Sequence, residues 1–402
     1  MPGATLLRAN SGVRGVTNTE LFFDLVYAFA VTQLSHYLID HATVEGALQT
    51  ALLLAMVWVV WASTAYLANW LDPSHVSVRL LLFGIMLASL VMSAGLPEAF
   101  GVGGIAVGGA YAAMQIGRCL FSVFAFRGQA LERNFQRLLI WATASGALAV
   151  IGGLQHGHVR ELLWTLVVGI DLFSAGIGFW IPGLGRTETR EWVLDGAHVA
   201  ERNQAFILIA LGETIVIIGA SLASLRGLSG EEILAYLVAF AGTALLWWVY
   251  FDRSAAFASR AIAASRDPGR LARSAFYWIH PLMIGGIIVA AAGDRLVIAG
   301  PTQTGDVAST LIVLGGPALF LAGHALFKVA VFRSGWPWSR ITAIVILGLL
   351  IPVGLAAPAL ALSASAVGAV AVVVVLDRRH RPTPEMEALY LGEARVARPR
   401  SR

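Results

Sequence analysis

Residues 46–70 read GALQTALLLAMVWVVWASTAYLANW, a stretch without a charged side chain. A helix needs about 20 mostly apolar residues to cross the hydrocarbon core of a bilayer. Runs of this kind recur along the chain, so the sequence predicts an all-α, polytopic integral membrane protein. Twelve spans are predicted, at 20–40, 46–70, 76–96, 99–126, 135–154, 161–182, 203–224, 232–251, 274–299, 308–332, 341–359 and 360–376.

The composition excludes several other classes of protein. Of the 402 residues, 57% are hydrophobic and only 13% are charged, whereas a soluble domain carries about 25% charged residues. The single cysteine, Cys119, cannot form an intrachain disulfide or a multi-cysteine zinc site. The sequence contains no phosphate-binding loop, no HExxH and no serine elbow, so we expect neither an enzyme nor a cofactor.

The basic residues indicate the orientation of the chain in the membrane. With the N-terminus in the cytoplasm, all but three of the 28 lysines and arginines lie on the cytoplasmic side. The exceptions are Arg160, Arg226 and Arg295. This bias follows the positive-inside rule. It predicts a multi-pass protein of the cytoplasmic membrane with both termini in the cytoplasm, and it explains the net charge of +4 without a nucleic-acid partner.

Reporter fusions test this orientation. A reporter joined after Arg190 should report the cytoplasmic side, and one joined after Arg226 should report the opposite side. Both reporters on one side would overturn the predicted order of spans.

The two halves of the chain share small similarities. Ala94-Gly95 and Ala292-Gly293 each end a predicted span beside an acidic residue. Six spans separate such equivalents, which predicts two parallel six-helix repeats. The predicted divisions are a first repeat, a cytoplasmic linker, a second repeat and a basic cytoplasmic tail, at 1–182, 183–202, 203–376 and 377–402.

Two motifs carry a family resemblance. Residues 20–34, ELFFDLVYAFAVTQL, resemble the opening helix of the bacterial low-temperature-requirement protein A family. Residues 198–202, HVAER, followed by 211–214, LGET, are similar to that family's mid-chain signature. The family's name records a growth phenotype, so the resemblance implies a fold class and specifies no reaction.

A more distant resemblance suggests a function. Phe22-Phe23-Asp24 with Thr32 is similar to the first-helix motif of the lysosomal and prokaryotic potassium channels built from six-helix repeats. The resemblance implies that this helix lines a pore, with the constriction at Phe29. The sequence departs from the pattern at Asn18, where the channels have arginine, and at Ala205, where the acidic residue would recur.

Several polar residues in the spans are candidates for function. Asp171 and Glu213 lie near the middle of predicted spans, where an ionised carboxylate costs about 2.5–3.5 kcal/mol on insertion scales. Each is either a transport carboxylate or a buried group hydrogen-bonded to a neighbouring helix. His280 precedes Pro281, which should kink its helix and free the Tyr277 carbonyl. It is either a proton relay or a structural histidine.

The remaining candidates lie near the cytoplasmic ends of spans 1 and 7. Glu20 and Asp24 are four residues apart on one helical face, and they either cap the helix or attract cations at a pore mouth. Glu201 and Arg202 open span 7, and Arg202 is expected to reach the interface or to pair with an acid of span 1. In an external loop, His156 and His158 are too few ligands to predict a metal site.

These observations support three hypotheses of function. The first is a channel-like protein or transporter for a small cation, the second is a proton-coupled secondary transporter, and the third is a membrane scaffold or stress sensor without transport. The expected partners are the lipid bilayer and a small cation or proton, and a homodimer is left open. The sequence does not specify which ion is carried.

Overall fold

The structure, a computed structural model, describes residues 6–8, 15–188, 191–192, 194–223, 229–252, 254–263, 265, 267–332 and 336–379. Most of these residues are helical and none lies in a β-strand, which confirms the all-α prediction. It divides into two compact units, Met1–Leu194 and Asp195–Arg402. The division falls within the predicted linker, and the repeat relationship stays a prediction.

The first unit contains six long helices that match the first six predicted spans. A short 3₁₀ turn, Leu96–Glu98, follows the third helix. The helices are α1 (Asn18–Asp40), α2 (Val44–Leu67), α3 (Val76–Gly95), α4 (Gly104–Ala125), α5 (Glu132–Leu154) and α6 (Gly157–Gly176).

The second unit contains five helices of 20 residues or more and four shorter ones. A π-helical segment, Arg273–Ile279, joins the tenth helix to the eleventh. The helices are α7 (Gly196–Ala223), α8 (Gly230–Phe251), α9 (Ser254–Ala263), α10 (Pro268–Ala272), α11 (His280–Ala299), α12 (Val307–Phe332), α13 (Trp338–Leu349), α14 (Ile351–Gly354) and α15 (Ala359–Arg379).

Nine helical stretches in the described part of the chain are long and apolar enough to cross a membrane. This confirms a multi-span membrane protein but not the count of twelve. Helices α4 and α6 form where spans were predicted, but they carry several polar and charged side chains. The predicted span 341–359 is broken, because α13 ends at Leu349 and a separate short helix with Pro352 in its first turn begins at Ile351.

Small residues bring helices α4 and α5 into close contact. A Cβ atom added at Gly108 would lie 2.2 Å from the carbonyl oxygen of Ala149. One added at Gly104 would lie 2.3 Å from the guanidinium carbon of Arg160. Gly108 therefore has no room for a side chain, as expected for close helix packing in membranes, whereas a side chain at Gly104 would displace the guanidinium of Arg160 on α6.

Candidate functional site

A small cavity lies among five helices of the second unit, α7, α8, α11, α12 and α15. It measures about 30 Å³, and roughly 10–15 Å³ of such volume is enough for one water molecule. Its lining includes four residues with polar side chains, Thr214, Thr243, Asp294 and Ser363, and also Val313 and Gly293. The cavity can therefore hold one ligand of the size of water or of a dehydrated cation.

The hydroxyl groups of this cavity have oxygen lone pairs available. Thr214 donates to the carbonyl of Leu211 at 2.6 Å. Thr243 donates to the Thr214 hydroxyl at 3.0 Å or to the carbonyl of Ala239 at 3.2 Å. Because each proton is directed to a protein acceptor, a ligand in the cavity would meet oxygen atoms that accept or coordinate.

The backbone adds a further acceptor at the same place. Pro317 lies inside α12 and lines the cavity. A proline has no N–H to give to the carbonyl four residues earlier, and that carbonyl belongs to Val313, which also lines the cavity. Hydroxyl, carbonyl and carboxylate oxygens together form a hard-oxygen donor set, the kind that binds hard cations.

Asp294 is the charged member of the cavity. Its side chain is partly buried and has no hydrogen-bonded or ionic partner among the residues that the structure describes. It lies five residues before the end of α11 at Ala299, which is about 7.5 Å along the helix axis. An unpaired carboxylate at such a depth is costly unless it holds a proton or a cation.

A second buried carboxylate, Asp171, lies in the first unit. Its Oδ2 atom accepts hydrogen bonds from the Tyr111 hydroxyl and, at 3.3 Å, from the Gln115 amide. Arg118 donates to the Gln115 amide oxygen at 2.5 Å. Because these three partners occur at spacings of four and three residues on α4, they share one helical face.

His280 belongs to a different polar cluster of the second unit. Its Nε2 atom lies 3.0 Å from the Tyr250 hydroxyl, and both residues are fully buried. The Tyr250 ring lies 6.3 Å from that of His324, whose Nδ1 accepts from Arg340 at 3.3 Å. Arg340 in turn forms an ion pair with Asp377. This cluster lies at the start of α11, about 21 Å along that helix from Asp294.

The candidates on α1 have separate environments. Glu20 is fully buried, forms a capping box with Thr17 and pairs with Arg8 at 2.8 Å. Asp24 is also fully buried and accepts a hydrogen bond from the Trp61 indole at 2.7 Å. Phe29, in contrast, is 37% exposed on the surface of its unit.

Thr32 and the candidates on α7 are partly or fully buried among the helices. The Thr32 hydroxyl donates to the carbonyl of Ala28 at 3.1 Å. Arg202 and Glu213 are buried, at 1% and 4% exposure, and Glu201 is half-buried. Glu213 is not among the residues that line the cavity, but its neighbour Thr214 is.

The sequence did carry signals for the residues that were missed. Asp294 lies inside the predicted span 274–299, but its position next to Arg295 makes it look like the end of a span. Tyr111, Gln115 and Arg118 form a polar stripe within one predicted span, which marks a face buried against other helices. Which helix this stripe meets depends on the three-dimensional packing.

Comparisons with known proteins identify a matching family and a relative. A sequence model of the family described as bacterial low temperature requirement A protein (LtrA) matches residues 15–376. An uncharacterized protein of Rhizobium meliloti (strain 1021) is 36% identical over 345 residues, which covers 85% of this chain and 84% of the relative. No solved structure matches.

Proposed function

The chain belongs to the bacterial low temperature requirement A protein family, and we propose that it carries a small cation or protons across the bacterial membrane. The family relationship and the apolar helices make it a membrane protein. The transport function rests on the polar groups inside these helices. Their number and burial exceed what anchoring in a bilayer requires.

The Asp294 cavity is the observation that carries this proposal. A carboxylate with no partner among the described residues lines a space for one water-sized ligand, and three residues with hydroxyl side chains line the same space. A cation there would gain oxygen ligands and neutralise the carboxylate, while a proton would neutralise it without coordination. Reversible exchange of such a ligand is the elementary step of cation or proton transport.

Asp171 supports a proton-coupled form of the proposal. Its Oδ2 atom is bonded by Tyr111 and Gln115, which fix its orientation inside the first unit. A tyrosine–carboxylate pair within hydrogen-bond reach can exchange a proton. Each unit thus has an aspartate among polar side chains within its helices, Asp171 in the first unit and Asp294 in the second.

Flux through the purified protein in sealed liposomes tests the proposal. The vesicles should be loaded in turn with proton, sodium and potassium gradients, and protein-free vesicles serve as the control. We expect protein-dependent movement of at least one of these ions. Movement of none of them, with correctly folded protein, would contradict the proposal and favour a scaffold or sensor.

The potassium-channel resemblance suggests a second path, along α1. The structure assigns Phe29 and Asp24 different environments, since Phe29 is partly exposed and Asp24 is buried against Trp61. If a pore follows α1, Phe29→Ala should raise leak with little loss of folding, because it widens a hydrophobic constriction. Asp24→Asn should instead lower the folded yield, because a buried partner loses its charge.

Flux and folded yield of the two variants separate these roles. A cysteine placed at position 29 should react with water-soluble thiol reagents if α1 lines an aqueous path. A well-folded Phe29→Ala protein with unchanged flux and an unreactive cysteine at that position would exclude the α1 path.

A further inference from the structure

We propose a second site, a surface site for a divalent transition-metal ion such as Zn²⁺, formed by Glu45, His158 and Glu161. Glu45 lies in the first turn of α2, and the other two residues lie in the first turns of α6. One ligand atom from each residue lies within 4.8 Å of the other two. The site is in the first unit and is independent of the proposed transport function.

The ligand set matches the chemistry of a borderline divalent cation. One imidazole nitrogen and two carboxylate oxygens are typical ligands of Zn²⁺, and three protein ligands leave a position open for water. The two carboxylates also balance the charge of a divalent ion. Soft thiolate ligands are absent from this set, which disfavours Cu⁺.

The geometry requires only small movements. His158 Nδ1 and Glu161 Oε2 are 3.0 Å apart, close to the separation of neighbouring ligands around an ion with bond lengths of about 2.0–2.2 Å. Glu45 must approach further. The His158 side chain is 88% exposed and Glu45 is also exposed, so both can rotate without disturbing the packed core.

A neighbouring amide orients one of the ligands. Gln49 donates to Glu161 Oε1 at 2.6 Å and to Glu45 Oε1 at 3.4 Å, and its own oxygen accepts from the Tyr37 hydroxyl. A partner that holds a ligating carboxylate in this way is typical of metal centres. Gln49 is therefore a positioning residue.

The surrounding space leaves room for water or another ligand on the ion. A pocket of about 330 Å³ adjoins the cluster and is lined by Tyr37, Glu45, Gln49 and Glu98. The positive N-terminal ends of α2 and α6 disfavour a bound cation, although they favour the two carboxylates. The mixed imidazole and carboxylate set, rather than negative charge alone, therefore carries the proposal.

Zn²⁺ titration of the purified full-length protein in detergent tests the site. We expect one Zn²⁺ per chain, and weakening of roughly 10–100-fold or more in Glu45→Gln, His158→Ala and Glu161→Gln, the range seen when metal-site partners are lost. Replacing Zn²⁺ by Co²⁺ should give a visible absorption band that these variants lose. Glu45 and His158 are exposed and Glu161 is half-buried at its helix start, so the three changes should alter thermal unfolding little.

His156→Ala is the matched control, because His156 is also exposed and lies two residues from His158 but outside the cluster. It should bind Zn²⁺ like the unmodified protein. The proposal is overturned if the unmodified protein binds no stoichiometric Zn²⁺, if the three ligand variants bind it normally, or if His156→Ala weakens binding as much as His158→Ala does. None of these outcomes depends on ion transport.

Discussion

Replacing Arg160 by alanine should destabilise the first unit by about 3–5 kcal/mol, because several carbonyls lose their charged donor and each buried acceptor left unsatisfied costs about 1–3 kcal/mol. Arg160 is only 2% exposed. Its guanidinium donates to the carbonyls of Ala99 and Gly101, each at 2.6 Å. It also donates to three carbonyls at the end of α5, those of Gly152, Gly153 and Gln155.

The large effect follows from where these carbonyls lie. The last carbonyls of a helix have no partner within the helix and must be satisfied by other donors. Arg160 satisfies several at once and places its positive charge at the negative end of α5. Its removal takes a donor from each of these carbonyls, although that of Gly152 also accepts the backbone N–H of Gln155 at 3.0 Å, and it opens a space against Gly104.

Thermal unfolding of the purified protein in detergent measures this effect. With about 2–4 °C lost per kcal/mol for a unit of this size, Arg160→Ala should lower the Tm by roughly 6–20 °C. Arg295→Ala is the matched control, because Arg295 is exposed and should change the Tm little. Equal Tm values for the two variants would contradict the structural role of Arg160.

Replacing Asp294 by asparagine should reduce transport by roughly 10–100-fold. Contacts to a charged group contribute about 1.5–3 kcal/mol, and each 1.4 kcal/mol corresponds to a tenfold change in binding. Asparagine has almost the same shape as aspartate but cannot take up a proton or balance a cation. Folding should be unaffected, because the Asp294 carboxylate has no partner among the described residues.

Asp306→Asn is the matched control for this experiment. Asp306 is exposed just before α12, where its carboxylate accepts the backbone N–H of Ser309 at 2.8 Å. The same chemical change there should leave flux unaltered. If Asp294→Asn carries ions as fast as Asp306→Asn at matched reconstitution, the cavity is not on the transport path.

The helices could largely be predicted from the sequence, because apolar runs determine where a chain crosses a membrane. The predicted run 46–70 corresponds to α2, Val44–Leu67. The largest shift of a helix start is at α7, which begins at Gly196 rather than 203. Its first turns carry His198 and Arg202, which are polar but buried, so hydropathy alone did not assign them to the helix.

The polar clusters were harder to predict than the helices. Arg160 was interpreted as an external topology charge, but it is buried among helix-end carbonyls. Asp171 was identified from its depth in a span, whereas its partners on α4 depend on how α4 and α6 pack. The environment of Asp294 could not be predicted without the positions of the five helices around the cavity, because no short motif joins Asp294 to Thr214 and Ser363.

Carbodiimide modification of Asp294 tests the central claim most directly. Such reagents react with protonated carboxyl groups in apolar surroundings, and mass spectrometry of the peptide that contains Asp294 reports the extent of reaction. If Asp294 holds a transported metal cation, that cation should slow the modification over the concentration range that saturates flux. If protons are carried instead, the modification should slow as the pH rises over the range in which flux changes. A modification rate that is independent of every transported ion and of pH, while flux persists, would contradict the account.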